Sequence, residues 1–485
     1  MRQTLSRKTQ NHVAVPLMIA QRDAFSPQLT DRMKNHIIST FIRMITHHAD
    51  PDQTKLLSRP WTRWLLSRLT ALYGFDTQDL LKDEGIQRAL WNLLESISEY
   101  GIKAPQTLKA PLSVVWSLSY RCNLRCMHCY QNASQPSEDE LTLAEQLDIV
   151  DQIAHAGVSM IVLSGGEPLT NPNLGSLIER IHAHGMAISI DSNGVLMSKE
   201  TAERLKQAGV SSVELSLDAV NAESHDRFRG FDGAFDRTLK AVENCSKAGL
   251  FTTVATTATT LNHAESGKLI SLARSRGADR VVFFDLIPAG RGREVQNLRL
   301  SNSQLLDLMA LVRQESSSKG EVFTELPQFV VYSASGDGES VSHHPERALS
   351  VERFTVSSFF DCAGRGNIYR KLAPYLGGCP AGRLYCNIQP NGNVTPCMFM
   401  PDYPVAGNLR KQPFEEVWNS PILQALRDRT RLKGKCRECQ FAVVCGGCRA
   451  KAAAYAGDYL ASDPTCPIRP DDMQLLSGHH HGESI

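Results

Sequence analysis

Val114-Val-Trp-Ser-Leu-Ser-Tyr-Arg-Cys122-Asn-Leu-Arg-Cys126-Met-His-Cys129 joins an apolar run to three cysteines at spacing C-x3-C-x2-C. The run reads as a buried strand and the cysteines as a loop directly after it. No fourth cysteine follows within a hundred residues. Three thiolates leave one iron of a 4Fe–4S cube without a protein ligand. An open metal position usually marks chemistry. The competing readings are three buried apolar cysteines or three ligands of a zinc ion.

Ile161-Val-Leu-Ser-Gly-Gly-Glu-Pro168 reads as a second buried strand, ending in a glycine pair and a carboxylate. Gly165 and Gly166 let backbone approach a ligand closely. Glu167 is suited to holding an ammonium group. With the cysteine triplet ahead of it, this stretch resembles the radical S-adenosylmethionine (SAM) superfamily. The resemblance implies a 4Fe–4S cluster on Cys122, Cys126 and Cys129. It also implies that the methionine end of SAM chelates the fourth iron, with the glycine-rich strand end recognising its amino group.

The chain has 485 residues, which suggests about three domains. Its 42% hydrophobic and 21% charged residues fit a globular protein. A formal net charge of +1 gives no global field for nucleic acid. No run of apolar residues is long enough for a transmembrane helix, and no signal-peptide order begins the chain. The expectation is a cytoplasmic protein. There, thirteen cysteines point to metal binding rather than disulfides.

Residues 1–105 read as a helical region of unknown role. Met33, Ile37, Phe41 and Met44 recur at helix spacing, as do Leu90, Leu94 and Ile97. Arg59–Leu72, rich in Trp, Leu and Arg, suits packing on the main domain, or contact with a membrane surface or a partner helix. From 111 to 292 strands and helices alternate. Strands are expected at 112–118, 158–163, 186–191, 212–217, 250–257 and 280–286. Helices are expected near 142–156, 173–184, 199–208, 235–248 and 262–276. Such alternation gives a parallel sheet. The fold class is α/β, and the resemblance implies a partial (β/α)6 barrel.

Ligands of such sheets sit at the carboxyl ends of the strands. By the resemblance, Ser216 and Arg229 hold the SAM carboxylate, with Arg227 a rival, and Asn193 reaches the ribose or a nearby polar group. Pro288-Ala-Gly-Arg-Gly292 resembles the family's loop near the adenine. Residues 293–375 read as a bridge with an exposed loop at Ser333–Ser340. His343 and His344 there read as solvated. Cys245 and Cys362 fall outside every pattern, although Cys362 could line a substrate pocket.

Eight cysteines lie between Cys379 and Cys466. Cys379, Gly392 and Cys397 match C-x12-G-x4-C, and Cys436-x2-Cys439-x5-Cys445-x2-Cys448 follows. Residues 376–470 resemble the SPASM domain, with a flexible tail at 471–485. The resemblance implies two auxiliary 4Fe–4S clusters, for three in all. One would rest on Cys379, Cys386, Cys397 and Cys448, the other on Cys436, Cys439, Cys445 and Cys466. Cys445-Gly-Gly-Cys448 is one residue shorter than the usual spacing. Two zinc knuckles are the rival reading.

These resemblances imply an enzyme that cleaves SAM to a 5′-deoxyadenosyl radical and abstracts hydrogen from its substrate. Its electrons would come from a donor such as ferredoxin or flavodoxin. The substrate reading leans to a ribosomal peptide or protein, the larger class. A tetrapyrrole, oxidatively decarboxylated or altered at its side chains, is the alternative. A non-catalytic iron–sulfur or zinc protein is the reading from a different class.

Overall fold

The computed structural model describes residues 84–316, 321–334 and 375–468. The expectations for Met33–Met44, Arg59–Leu72, residues 335–340, His343, His344, Cys362 and the 471–485 tail lie outside them.

All six expected strands form: β1 (Ser113–Ser117), β2 (Met160–Ser164), β3 (Ala187–Ser192), β4 (Ser212–Ser216), β5 (Phe251–Ala258) and β6 (Arg280–Asp285). They are short runs of apolar and β-branched residues, mostly buried, as strands covered on both faces must be. After α1 (Glu84–Tyr100), helices fill the crossovers: α2 (Leu143–His155), α3 (Leu174–Ala183), α4 (Lys199–Gln207), α5 (Ala222–Arg229), α6 (Ala234–Lys247) and α7 (Ser266–Ser275). Helix α5 is too polar to show an apolar stripe in the sequence. Its ends carry the signal instead: Asn221 accepts from the Ser224 N–H at the start, and Gly230 ends it in the left-handed region.

The sheet goes beyond six strands. The segment read as a bridge contributes α8 (Asn302–Ser316) and β7 (Glu321–Thr324), and β7 pairs parallel with β6. On the other side, β8 (Tyr385–Ile388) pairs parallel with β1. Two antiparallel strands follow, β9 (Asn393–Thr395) and β10 (Gly407–Asn408). The order is β10-β9-β8-β1-β2-β3-β4-β5-β6-β7. The cysteine-rich region therefore continues the barrel sheet.

The larger core lies between the sheet and its helices, around Val114, Trp116, Ile161, Leu163, Ile190 and Leu215. The inner face is different. There Val115, Met160 and Val162 pack with Ile287, Cys379, Tyr385 and Cys397. Helix α1 braces the opposite end of the barrel. Arg88 donates to the Val158 carbonyl at 3.0 Å, and Asn92 donates to the Ala110 carbonyl at 2.9 Å. Both acceptors precede strands, so α1 covers the amino ends and leaves the carboxyl ends to the site. No helix among the described residues is long and apolar enough to cross a membrane.

Candidate active site and auxiliary cluster sites

The loop after β1 is pinned at its base. Cys122 N–H donates to the Ser134 carbonyl at 3.1 Å and Ser134 N–H to the Tyr120 carbonyl at 2.9 Å. The end of β2 closes on the same loop, with Gly166 N–H on the Ser119 carbonyl at 2.8 Å and Glu167 N–H on the Arg121 carbonyl at 2.8 Å. A Cβ on Gly166 would lie 2.0 Å from the Arg121 carbonyl oxygen. Gly165 has φ +131°. The glycine pair therefore admits the cysteine loop as well as lining the cavity. From the far side, Arg291 donates its backbone N–H to the Cys129 carbonyl and its Nε to the Cys126 carbonyl. The Pro288–Gly292 loop thus braces the cysteines.

Cys122, Cys126 and Cys129 line one open cavity, together with Gly165, Gly166, Asn193, Ser216 and Arg229. The three sulfurs accept from Leu124 N–H at 3.4 Å, Arg229 at 3.8 Å and Ala133 N–H at 3.4 Å, in that order. Such donors stabilise thiolate charge and tune a cluster. Burial pushes the free Cys122 thiol up to about 11, so metal loading must displace its proton. Three thiols around one cavity, each facing an N–H donor, are the donor set that a cube with one iron open requires, although among the described residues they are not already drawn together at metal-binding distance.

Arg229, not Arg227, reaches the cavity; Arg227 is exposed. Burial alone would lower the Arg229 pKa, but Asp218, bonded at 2.6 Å, raises it. The guanidinium is thus a fixed cation, already shared between a carboxylate and a cysteine sulfur.

Glu167 departs from the sequence expectation. It does not line the cavity and is 2% exposed. Its carboxylate accepts from the Ser192 hydroxyl at 2.8 Å and from the backbone N–H of Asn193 at 2.8 Å and Leu169 at 3.1 Å. It ties the end of β2 to the end of β3. Burial pushes it up to about 7 against these bonds.

Four cavity groups went unread in the sequence. Asp191, near the end of β3, and Glu214, midway along β4, are half-buried acids, both raised by burial. His128 stacks on Phe228 at 4.3 Å, and burial lowers it to about 3. Asp285, at the end of β6, forms a buried ion pair with Lys451. Asp191 and Asp285 lie at the carboxyl ends of their strands, which was the available signal, whereas Glu214 lies mid-strand.

The tail cysteines fall into two groups. Cys379, Cys397 and Cys448 line a second, smaller cavity with Glu325, Lys451 and Phe399. Tyr385 O–H donates to the Cys397 sulfur at 2.7 Å. In the other group, Asp463 joins Cys436 to Cys466, its carbonyl accepting from the Cys466 N–H at 3.5 Å and its own N–H facing the Cys436 sulfur. The sulfurs of this group accept from Asp463 N–H at 3.3 Å, Arg449 at 3.5 Å and Gly447 N–H at 3.4 Å. Gly446 and Gly447, at φ +72° and +63°, turn Cys445 and Cys448 towards different groups. The paired knuckles are thus divided rather than folded around one zinc.

Cys386 requires a correction. The resemblance grouped it with Cys379, Cys397 and Cys448, yet its side chain lies across the sheet from them. It is fully buried in the helix-side core with Val114 and Ile388. Burial pushes it up to about 12, and Arg427 is the charged group acting on it.

The radical SAM superfamily model matches residues 116–272, and the SPASM iron–sulfur cluster-binding domain model matches 379–440. The AdoMet-dependent heme synthase of Methanosarcina barkeri is 34% identical, covering 74% of this chain and 97% of that protein. The chain belongs to the radical SAM superfamily. The mycofactocin maturase MftC of Mycobacterium tuberculosis is 31% identical over 77% of this chain and 84% of that one. SuiB of Streptococcus suis, solved with SAM, has a TM-score of 0.60 at 17% identity, covering 89% of this chain and 93% of that chain. At that identity the likeness is one of fold. As a radical SAM enzyme with a SPASM domain, the protein uses SAM, a 4Fe–4S cluster and auxiliary iron–sulfur clusters.

Proposed function

We propose that this radical SAM enzyme removes or oxidises side chains of a tetrapyrrole. The likeness to a heme synthase over 97% of that protein carries the proposal. The sequence reading leaned to a peptide because that class is larger, which is a weaker ground than full-length likeness. The peptide reading remains the second, supported by the 31% likeness to mycofactocin maturase.

In this reading Cys122, Cys126 and Cys129 hold the SAM cluster. Gly165, Gly166, Asn193, Ser216 and Arg229 shape the SAM pocket, and Glu167 positions the glycines without touching SAM. When bound there, the cluster and SAM would supply the radical chemistry that takes hydrogen from an unactivated C–H bond. The protein's part is to keep that step dry and aligned. Phe284, Ile287 and Phe399 line both cavities and offer an apolar wall between them. Arg229 and the Asp285–Lys451 pair supply fixed charge. A ferredoxin or flavodoxin is the proposed electron source.

The test is anaerobic turnover with SAM, dithionite and iron coproporphyrin III, following 5′-deoxyadenosine and porphyrin mass together. Coupled mass loss is expected. Unaltered iron coproporphyrin III beside a modified candidate peptide would overturn the tetrapyrrole reading and favour the second.

A further inference from the structure

Strand β8 brings a hydroxyl onto one thiol of the second cavity. Tyr385 stands opposite Ser113 of β1, and alternate residues of a strand face opposite sides. Its ring lies on the inner face, among Val115, Met160 and Cys397, and is 5% exposed. The backbone around it is clamped. Tyr385 N–H donates to the Pro380 carbonyl at 3.4 Å, and Gly382 N–H is shared between the carbonyls of Tyr385 and Pro396, each at 3.0 Å. Pro380 follows Cys379, and Pro396 precedes Cys397. One turn thus fixes the tyrosine relative to both cysteines, and its O–H donates to the Cys397 sulfur at 2.7 Å.

That bond differs from those in the other group of tail cysteines, whose sulfurs face N–H donors at 3.3 to 3.5 Å. The hydroxyl is closer, and burial strengthens a hydrogen bond electrostatically. An added electron puts more negative charge on the sulfurs of an iron–sulfur cluster, so a donor to sulfur favours the reduced form. We infer that the Tyr385 hydroxyl sets the one-electron potential of the auxiliary cluster ligated by Cys397, making that cluster easier to reduce. Tyr385 is a positioning residue in this role, acting through Cys397. The cavity it lines shares Phe284, Asp285, Ile287 and Phe399 with the SAM cavity. The tuned site therefore borders the place where hydrogen is taken, and a less negative potential makes it a better one-electron acceptor there. The inference rests on the auxiliary clusters of the SPASM domain and on Cys397 as a ligand. It holds for a tetrapyrrole or a peptide substrate.

The test uses full-length protein with Cys122, Cys126 and Cys129 changed to Ala, so that only auxiliary clusters remain. Dithionite titration followed by electron paramagnetic resonance gives their one-electron couples. The couple missing from Cys448→Ala is the one beside Tyr385. Tyr385→Phe keeps the ring and removes the donor. Iron should stay at about eight per chain. That couple should become about tenfold harder to reduce, which is about 59 mV lower for one electron, while the other stays in place. Electron–nuclear double resonance in H2O and D2O should show one exchangeable-proton coupling lost from the same cluster. Tyr385→3,5-difluorotyrosine, a stronger donor on the same ring, should move the couple the opposite way, and it carries the test if the phenylalanine variant loads poorly. An unmoved couple at full iron, or an equal shift of both couples, would overturn the inference.

Discussion

The loop after β1 and the cysteine-rich region both present thiols at short spacing, yet different forces place them. In the loop, Cys122 to Cys129 span eight residues. Backbone hydrogen bonds from β2 and the Pro288–Gly292 loop hold that span against one cavity. Spacing alone then decides which thiols meet. In the cysteine-rich region the thiols come from a strand, a hairpin, glycine turns and a helix start. Their facing depends on sheet register and on contacts across more than sixty residues. Motif spacing is a reliable guide to geometry only where one short loop carries all the ligands.

The largest expected effect tests whether the two regions load independently. Changing Cys122, Cys126 and Cys129 to Ala should abolish 5′-deoxyadenosine formation and lower iron from about twelve to about eight per chain. Iron falling to about four would mean that the regions assemble as one unit, and the contrast between them would fail.

The next prediction concerns the joint between them. Lys451 and Asp285 are 2% and 8% exposed and link the helix after Cys448 to the end of β6. Burial lowers the Lys451 pKa, but Asp285 and its neighbours raise it overall. Lys451→Met leaves a buried carboxylate alone, at a cost of about 3–5 kcal/mol. The double variant Lys451→Met/Asp285→Leu should recover most of that stability, measured by anaerobic denaturant unfolding. A single variant as stable as wild type would show that the regions do not depend on this pair.

How much was legible follows the same division. The six strands and their crossovers could be read because each strand is an apolar run and each helix has its stripe. Helix α5 and strand β7 were missed: α5 has Phe228 as its one large apolar side chain, and β7 is four residues long in a stretch read as a bridge. In the site, Gly165 and Gly166 were read as letting backbone approach a ligand, and their nearest backbone neighbours are the carbonyls of Ser119 and Arg121 respectively. Glu167 illustrates the limit. A carboxylate beside a ligand pocket and one tying two strand ends have the same sequence. Glu167→Gln sharpens this. With three donors on the carboxylate, losing one acceptor should cost stability by about 1–3 kcal/mol. SAM affinity, measured by calorimetry, should fall by less than tenfold. A larger loss at unchanged stability would return Glu167 to direct contact.

The smallest expected effect lies inside the first region. Asp191 is raised from the usual carboxylate range to about 7, first by burial and then by the charge of Glu167. The folded state therefore binds the Asp191 proton more tightly than the unfolded chain, whose aspartate titrates near 3.9. This contribution is fully present below pH ~4 and is lost as pH rises through about 7. Asp191→Asn carries no such proton. Relative to wild type, the variant should gain stability between pH 6 and pH 8, by about 1.4 kcal/mol per pH unit at most. Anaerobic thermal shifts of both proteins at the two pH values measure this, and comparing the pair cancels the clusters' own pH response. A stability difference that stays constant with pH would mean that Asp191 is ionised throughout. The acids that line the cavity would then carry charge instead of forming a neutral lining.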